Sequence, residues 1–287
     1  MNSNILMIIG MHRSGTSLIT QWVHRCGLHV GDRLLIENVG NEDGHFEDED
    51  FLELHTKFLL KRKVCSDGFI DTSPSQLTKV ELQRMKALVY AKSKGNLQWG
   101  WKEPRTCLFL SEYRALIPDA FCLIVTRGYN DTVNSLVVRE HRSHEERFQT
   151  KRGLSRLKWK LYKRKSLEYF FETRAELYLK TWIHYNEQIL NHVSTLPAGR
   201  YLFVQYEDLF QNDEAYFDHL IKEWNFSLKY IPFRSVFKRS LLSDTRNIEG
   251  YIRDQQLLDK AKQVEYLCRS FCDFFQVRIP EIKVLQK

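Results

Sequence analysis

Apolar positions along this chain recur with two periods, and their alternation lays out a fold. Asn4 to Gly10 is a short, nearly continuous apolar run closed by glycine, the pattern of a strand buried on both faces. Ser14 to Gly27 follows with helical spacing and ends on another glycine, so a strand, a tight loop and a helix are expected in direct succession. Residues 28 to 47 are polar and punctuated by glycine. Asp50 to Lys63 predicts a second helix, and Pro74 to Lys94 a third that opens near a Ser-Pro turn signal. Leu97 to Trp101 and Ala120 to Thr126 are the next strands, with a helix over Arg105 to Leu116 between them. Helices are then expected near Asn130 to Glu140, from about 166 to 193, near 213 to 223 and from 254 to 275, with one more strand over Tyr201 to Gln205. Strands alternating with helices predict an α/β domain whose central parallel sheet is flanked by helices. No internal repeat or flexible linker divides the 287 residues, so residues 1–287 are expected to form a single domain.

Composition narrows the class without changing that outline. Hydrophobic residues at 43% and charged residues at 28% are globular values, which excludes collagen-like, low-complexity and wholly disordered readings. No apolar run reaches the length of a membrane span, and Met1 to Gly10 has no basic leader, so the protein is expected in the cytoplasm. The six cysteines form no C-x-x-C pair; they read as reduced thiols, and neither zinc nor any other metal is expected.

Charge adds one localised feature. The formal net charge is +7, but between Arg139 and Lys165 eleven basic residues face three acidic ones, so this segment alone carries the excess. It reads as a basic helical insertion at about 139–165. Such an insertion would be either a solvated basic helix or a docking patch for an acidic glycan or an anionic, peripheral membrane surface. An opposite cluster, Glu42, Asp43, Glu47, Asp48, Glu49, Asp50 and Glu53, is expected as the solvated acidic first turn of a helix.

The candidate chemistry begins in the first loop, Gly10-Met11-His12-Arg13-Ser14-Gly15-Thr16-Ser17. Glycines let the backbone curl around an anion, amides at a helix start point at it, and hydroxyls add short hydrogen bonds. The G-x4-G spacing invites a nucleotide triphosphatase reading, but that motif needs Lys after the second glycine, and position 16 is Thr. Here the cation is Arg13, inside the loop. Downstream, the strand Phe121 to Thr126 ends in Arg127, and Ser135 comes eight residues later. Arg127 offers a planar fork and Ser135 a hydroxyl to a phosphate.

Together these elements resemble the sulfotransferases that use 3′-phosphoadenosine 5′-phosphosulfate (PAPS), in particular the bacterial-type branch whose phosphosulfate loop reads H-R-S-G-T-S. The resemblance implies a P-loop-like, nucleotide-kinase-like fold. It also implies a donor site in which Arg13, Ser14, Gly15, Thr16 and Ser17 hold the 5′-phosphosulfate while Arg127 and Ser135 grip the 3′-phosphate. Three further segments extend it. Trp101-Lys102-Glu103-Pro104-Arg105 resembles the family's W-K-D/E-P-R, placing Lys102 and Arg105 near the sulfonate or acceptor; Gly44-His45-Phe46-Glu47 resembles a G-H/Y-F/W-E segment; Tyr206-Glu207-Asp208-Leu209 resembles a structural Y-E-D-L. The sequence departs from the animal cytosolic enzymes in carrying Arg13 where they have lysine. It also lacks a clear C-terminal R-K-G clamp, for which Arg239, Arg246 and Arg253 are only loose candidates.

What the resemblance implies is sulfuryl transfer to a hydroxyl acceptor, with a saccharide ranked first and no nucleic acid partner expected. Catalytic roles would fall to Glu47 as base, with His45 and His12 as competitors, and to Lys102 and Arg13 as charge stabilisers. The alternatives are a P-loop kinase or nucleotide hydrolase, which Glu207-Asp208 after an apolar strand keeps open, and a non-catalytic module using the basic segment.

Overall fold

The computed structural model describes residues 3–35, 45–149, 154–205, 207–237 and 246–272, with backbone only at 148–149 and 154–166. Four strands, β1 (Asn4–Ile9), β2 (Gln98–Lys102), β3 (Phe121–Val125) and β4 (Tyr201–Val204), form one parallel sheet in the order β2-β1-β3-β4. In register, Ile8 lies beside Lys102 and Leu123, and Leu123 beside Leu202. All four chains therefore leave the sheet at the same edge, the place where loops of an open α/β sheet gather a ligand.

Side chains alternate between the two faces, as strand pleating requires. Ile5, Met7, Ile9, Trp99, Trp101, Cys122, Ile124 and Phe203 face one core, covered by α2 (Glu49–Lys61), α3 (Lys79–Ser93), α4 (Leu110–Leu116), α5 (Tyr129–Gln149), α6 (Leu154–Val193) and α8 (Gln255–Cys272). Leu6, Ile8, Leu123, Val125, Leu202 and Val204 face the other, covered by α1 (Thr16–Arg25) and α7 (Leu209–Asp218). Phe51 stacks on Trp101 at 4.4 Å between ring centroids, which pins α2 over β2.

Several boundaries differ from the sequence reading for local reasons. The third helix starts at Lys79 rather than Pro74, because Thr78 caps it and Glu81 reaches back to the Thr78 amide, a complete capping box. The helix expected from Arg105 opens as a 3₁₀ turn over Pro104–Phe109, with Pro104 in the first position, before α4 begins. The helix expected to stop at Glu140 continues to Gln149, and the next begins at Leu154 rather than near 166. Residues 139–149 thus belong to the end of α5 and 154–165 to the start of α6, and these two helices pack along each other. The closing helix near 213 to 223 is α7 followed by a π-helical turn over His219–Glu223.

All six cysteines are free thiols, and Cys26, Cys107, Cys122 and Cys268 are buried. Among the described residues no helix is long and apolar enough to cross a membrane.

Candidate active site

The loop between β1 and α1 is shaped by its backbone. Gly10 is pressed against the neighbouring strand: a Cβ there would lie 2.4 Å from the Val125 carbonyl oxygen and 2.8 Å from Thr16 Cγ2. Gly15 adopts a φ of 94°, and Arg13, a residue with a Cβ, is held at 67°. That left-handed conformation at a non-glycine residue is a strained choice of the kind that collects at ligand loops. No side chain caps the N-terminus of α1, so its first amides are left for whatever sits in the loop.

The structure brings the first loop and the Arg127–Ser135 element together. Arg13 Nε donates to Ser135 Oγ at 2.9 Å, and Arg127 Nη1 donates to the Arg13 carbonyl at 3.2 Å. Arg127 leaves the end of β3 while Ser135 lies one and a half turns into α5, which explains why a strand-end arginine and a serine eight residues on face one point. Burial, together with the like charges of Arg139, Arg127 and Arg142, lowers the Arg13 guanidinium to about 10. An anion held by Arg13 and Arg127, which touch, would relieve this repulsion.

Lys102 ends β2 and points into the same region, fully buried. Its Nζ donates to Ser17 Oγ at 3.2 Å, to Glu47 Oε1 at 3.1 Å and, closely, to the His45 carbonyl. Glu47 in turn is positioned by its backbone: the Glu47 carbonyl accepts from Leu35 N at 2.8 Å, and the next amide, Asp48 N, donates to the Lys102 carbonyl at 3.2 Å. Burial pushes the Glu47 carboxyl up, but the charge and hydrogen bond of Lys102 outweigh it and hold the group below the usual carboxylate range. In the resting site Glu47, the candidate base, is thus held as a carboxylate by Lys102.

The acidic segment is likewise not all solvated. Asp48 is fully buried, caps α2 by accepting from Asp50 N at 2.9 Å, and pairs with Lys92 at 2.8 Å. Glu49, Asp50 and Glu53 do stay near the surface, gathered around Arg33. Glu42, Asp43 and Gly44 lie outside the described residues, as do Tyr206 of the Tyr-Glu-Asp-Leu segment and Arg239.

The two histidine competitors differ. His45 contributes its carbonyl to Lys102, and burial lowers its imidazole. His12 is buried against Phe69, with ring centroids 5.1 Å apart, and its Nε2 has no hydrogen-bond partner among the described residues. Burial, with the Arg105 charge beside it, holds His12 well below its ordinary value, so the ring is neutral at physiological pH. Arg105 does not reach freely into the site: Nη1 is bound to Glu103 at 2.5 Å and Nε to the Ser66 carbonyl at 2.8 Å. Arg246, a loose clamp candidate, pairs with Glu168 at 3.2 Å, while its amide donates to Asn134 beside Ser135.

Two features escaped the sequence reading. One is the buried relay Tyr113–His55–Glu103–Arg105, with His55 Nδ1 2.6 Å from Glu103 and Nε2 2.8 Å from the Tyr113 hydroxyl. His55 on α2 lies 48 residues before Glu103, so no local pattern marks the relay. The other is a cleft of about 400 Å³ next to Arg127, lined by Tyr129, Asn130, Gln205 and Glu207 and by Glu265 and Arg269 of α8.

The shared edge of the parallel sheet thus carries a glycine loop, the Arg13–Arg127 contact and a buried lysine–glutamate pair. The sulfotransferase family's sequence profile matches residues 6–227, and the chain belongs to that family. A solved sulfotransferase from Mycobacterium avium is similar over 97% of this chain and 78% of its own, at 13% identity and a TM-score of 0.50, and has the same fold. The sulfotransferase domain of the curacin biosynthetic pathway matches 97% of this chain and 99% of its own at 13% identity and a TM-score of 0.46. A sulfotransferase from Mycobacterium tuberculosis H37Rv matches 92% and 77%, at 12% identity and 0.48. No curated protein sequence matches the chain.

Proposed function

We propose that this chain moves the sulfuryl group of PAPS to a hydroxyl acceptor, with saccharides as the first class to examine. The observation that carries the reading is the 2.9 Å contact between Arg13 and Ser135, which joins two anion-gripping motifs 122 residues apart at one sheet edge. The residues present suit such a donor: an uncapped helix start and the Ser14 to Ser17 hydroxyls for the 5′ end, Arg127 and Ser135 for the 3′-phosphate.

Sulfuryl transfer asks of a protein what phosphoryl transfer asks, in-line positioning and stabilisation of charge that builds on the leaving oxygen. The bond from sulfur to the acceptor oxygen forms as the bond from sulfur to the 5′-phosphate oxygen breaks. The acceptor's hydroxyl proton passes to Glu47, and adenosine 3′,5′-bisphosphate departs. Arg13 and the loop hold the departing phosphate. Lys102 has two employments: it neutralises Glu47 at rest, and it turns to the sulfonate oxygens when they arrive. That exchange removes the charge that depresses Glu47 and raises its proton affinity when a base is needed.

The test is calorimetric titration with adenosine 3′,5′-bisphosphate and, separately, with ATP and magnesium, in wild type and Arg127→Ala. Metal-independent bisphosphate binding that collapses in the variant supports the reading. Binding of ATP with magnesium alone would replace it with the kinase or hydrolase alternative.

A further inference from the structure

We propose that Arg139, with Arg142 beyond it, forms an anion subsite beside the catalytic chamber that takes a carboxylate or sulfate group carried by the acceptor. This rests on the sulfuryl-transfer reading and names the acceptor class that the reading leaves open.

The geometry comes from α5. Arg139 follows Ser135 by four residues and Arg142 by seven, the offsets that stack side chains on one helix face. Ser135 is bound by Arg13, so that face looks onto the first loop. Arg139 is half-buried, yet among the described residues neither it nor Arg142 makes a hydrogen bond or ion pair. Two nearby cations do have carboxylates: Arg127 lies 3.9 Å from Asp131, and Arg174 lies 3.2 Å from Glu140. Glu140, the nearest carboxylate in sequence, is taken by Arg174 and by the Tyr178 hydroxyl at 2.7 Å.

A guanidinium withdrawn from water without a counter-charge is costly, and such a group is stabilised by an anion that arrives with a ligand. The side of the site it serves follows from where its charge is felt. Arg139 disfavours the protonated forms of His12 and His45 as well as of Arg13, and the His45 carbonyl accepts from the same Lys102 Nζ that donates to Glu47. The Arg139 charge is therefore felt on the Lys102–Glu47 side of the site as well as at the first loop, and an acceptor approaching Glu47 comes within its reach. From Arg139 the basic run continues through the end of α5 and the start of α6, eleven basic residues to three acidic ones as far as Lys165.

The experiment uses the full chain saturated with adenosine 3′,5′-bisphosphate and titrated with sodium sulfate at constant ionic strength. One saturable sulfate is expected in wild type, weakened at least about tenfold in Arg139→Met and partly kept in Arg139→Lys, as for loss of a charged hydrogen bond. Bisphosphate affinity should be the same in wild type and Arg139→Met, which also shows that the variant is folded. Loss of bisphosphate and sulfate together in Arg139→Met would place Arg139 in the donor site and overturn the proposal. So would the absence of a saturable sulfate in wild type, or an equal loss of sulfate in Lys102→Met, which would put the anion at the transferred group. D-glucuronate should displace the sulfate and D-glucose should not; displacement by neither would make the site one for free inorganic anions and overturn the acceptor role. If the wild type takes sulfate through Arg139 but binds no bisphosphate, the subsite stands and the donor reading fails.

Discussion

Glu103 offers a perturbation whose size can be worked from the structure. It directly follows Lys102, is fully buried, and holds His55 at 2.6 Å and Arg105 at 2.5 Å. Burial pushes its carboxyl up, but the His55 hydrogen bond and the Arg105 charge prevail and hold it at about 2 rather than 4.5. At about 1.4 kcal/mol per unit, the ionised group contributes about 3 kcal/mol to folding. Because the folded value lies below the unfolded one, that contribution is complete above about pH 5 and is lost as pH falls from there toward 2. Glu103→Gln keeps the shape and removes the charge. Urea unfolding at pH 7 should find the variant about 3 kcal/mol less stable than wild type, and the gap should shrink to about 1 kcal/mol at pH 3, where the wild type is itself largely protonated in the unfolded state. A loss below about 1 kcal/mol at pH 7, or a gap that does not change with pH, would refute the idea that an ionised Glu103 organises this relay.

Three further outcomes are expected. Glu47→Gln should keep bisphosphate affinity and lose turnover at least about tenfold, and unchanged turnover would remove Glu47 as base. Gly10→Ala should cost about 2 kcal/mol or more and abolish bisphosphate binding, because the new methyl meets the Val125 carbonyl at 2.4 Å and backbone must move; calorimetry showing normal affinity would contradict this. Burial holds His192 down at about 4, so the folded protein resists its protonation. Stability from this group is whole above about pH 6.5 and falls by about 2 kcal/mol at pH 5, a slope that thermal melts should lose in His192→Leu.

The sequence made the order of strands and helices readable because each apolar run ends at a glycine or polar turn. The same was true of the first loop, where glycines and hydroxyls fall between a strand and a helix. Boundaries failed where a rule of shorter range was at work. Thr78 and Glu81 spell a capping box that outranks the Ser-Pro signal four residues earlier. The helix expected near Asn130 to Glu140 runs on because no glycine or proline interrupts residues 140 to 149 and packing on α6 carries α5 onward. Site residues such as Ser135 could be named but not placed, since a contact across 122 residues exists only after the sheet forms. The Lys102–Glu47 pairing was invisible for the same reason, and with it the lowered proton affinity of Glu47. Arg139 is an intermediate case: its four-residue offset from Ser135 was present in the sequence, but its lack of a partner was not.

The strand order also sets a timetable for synthesis. β1 is central, yet its neighbours are β2, whose first partner Gln98 lies 94 residues after Asn4, and β3, which starts at Phe121. At about 5 to 20 residues per second, the emerging Asn4–Ile9 segment waits roughly 5 to 20 seconds with both edges unpaired. It is uncharged, apolar and rich in β-branched residues, the composition that self-associates when exposed. The strand that launches the anion loop is thus the chain's main hazard before release from the ribosome, and soluble yield should depend on translation speed and chaperone supply more than on the stability of the finished fold.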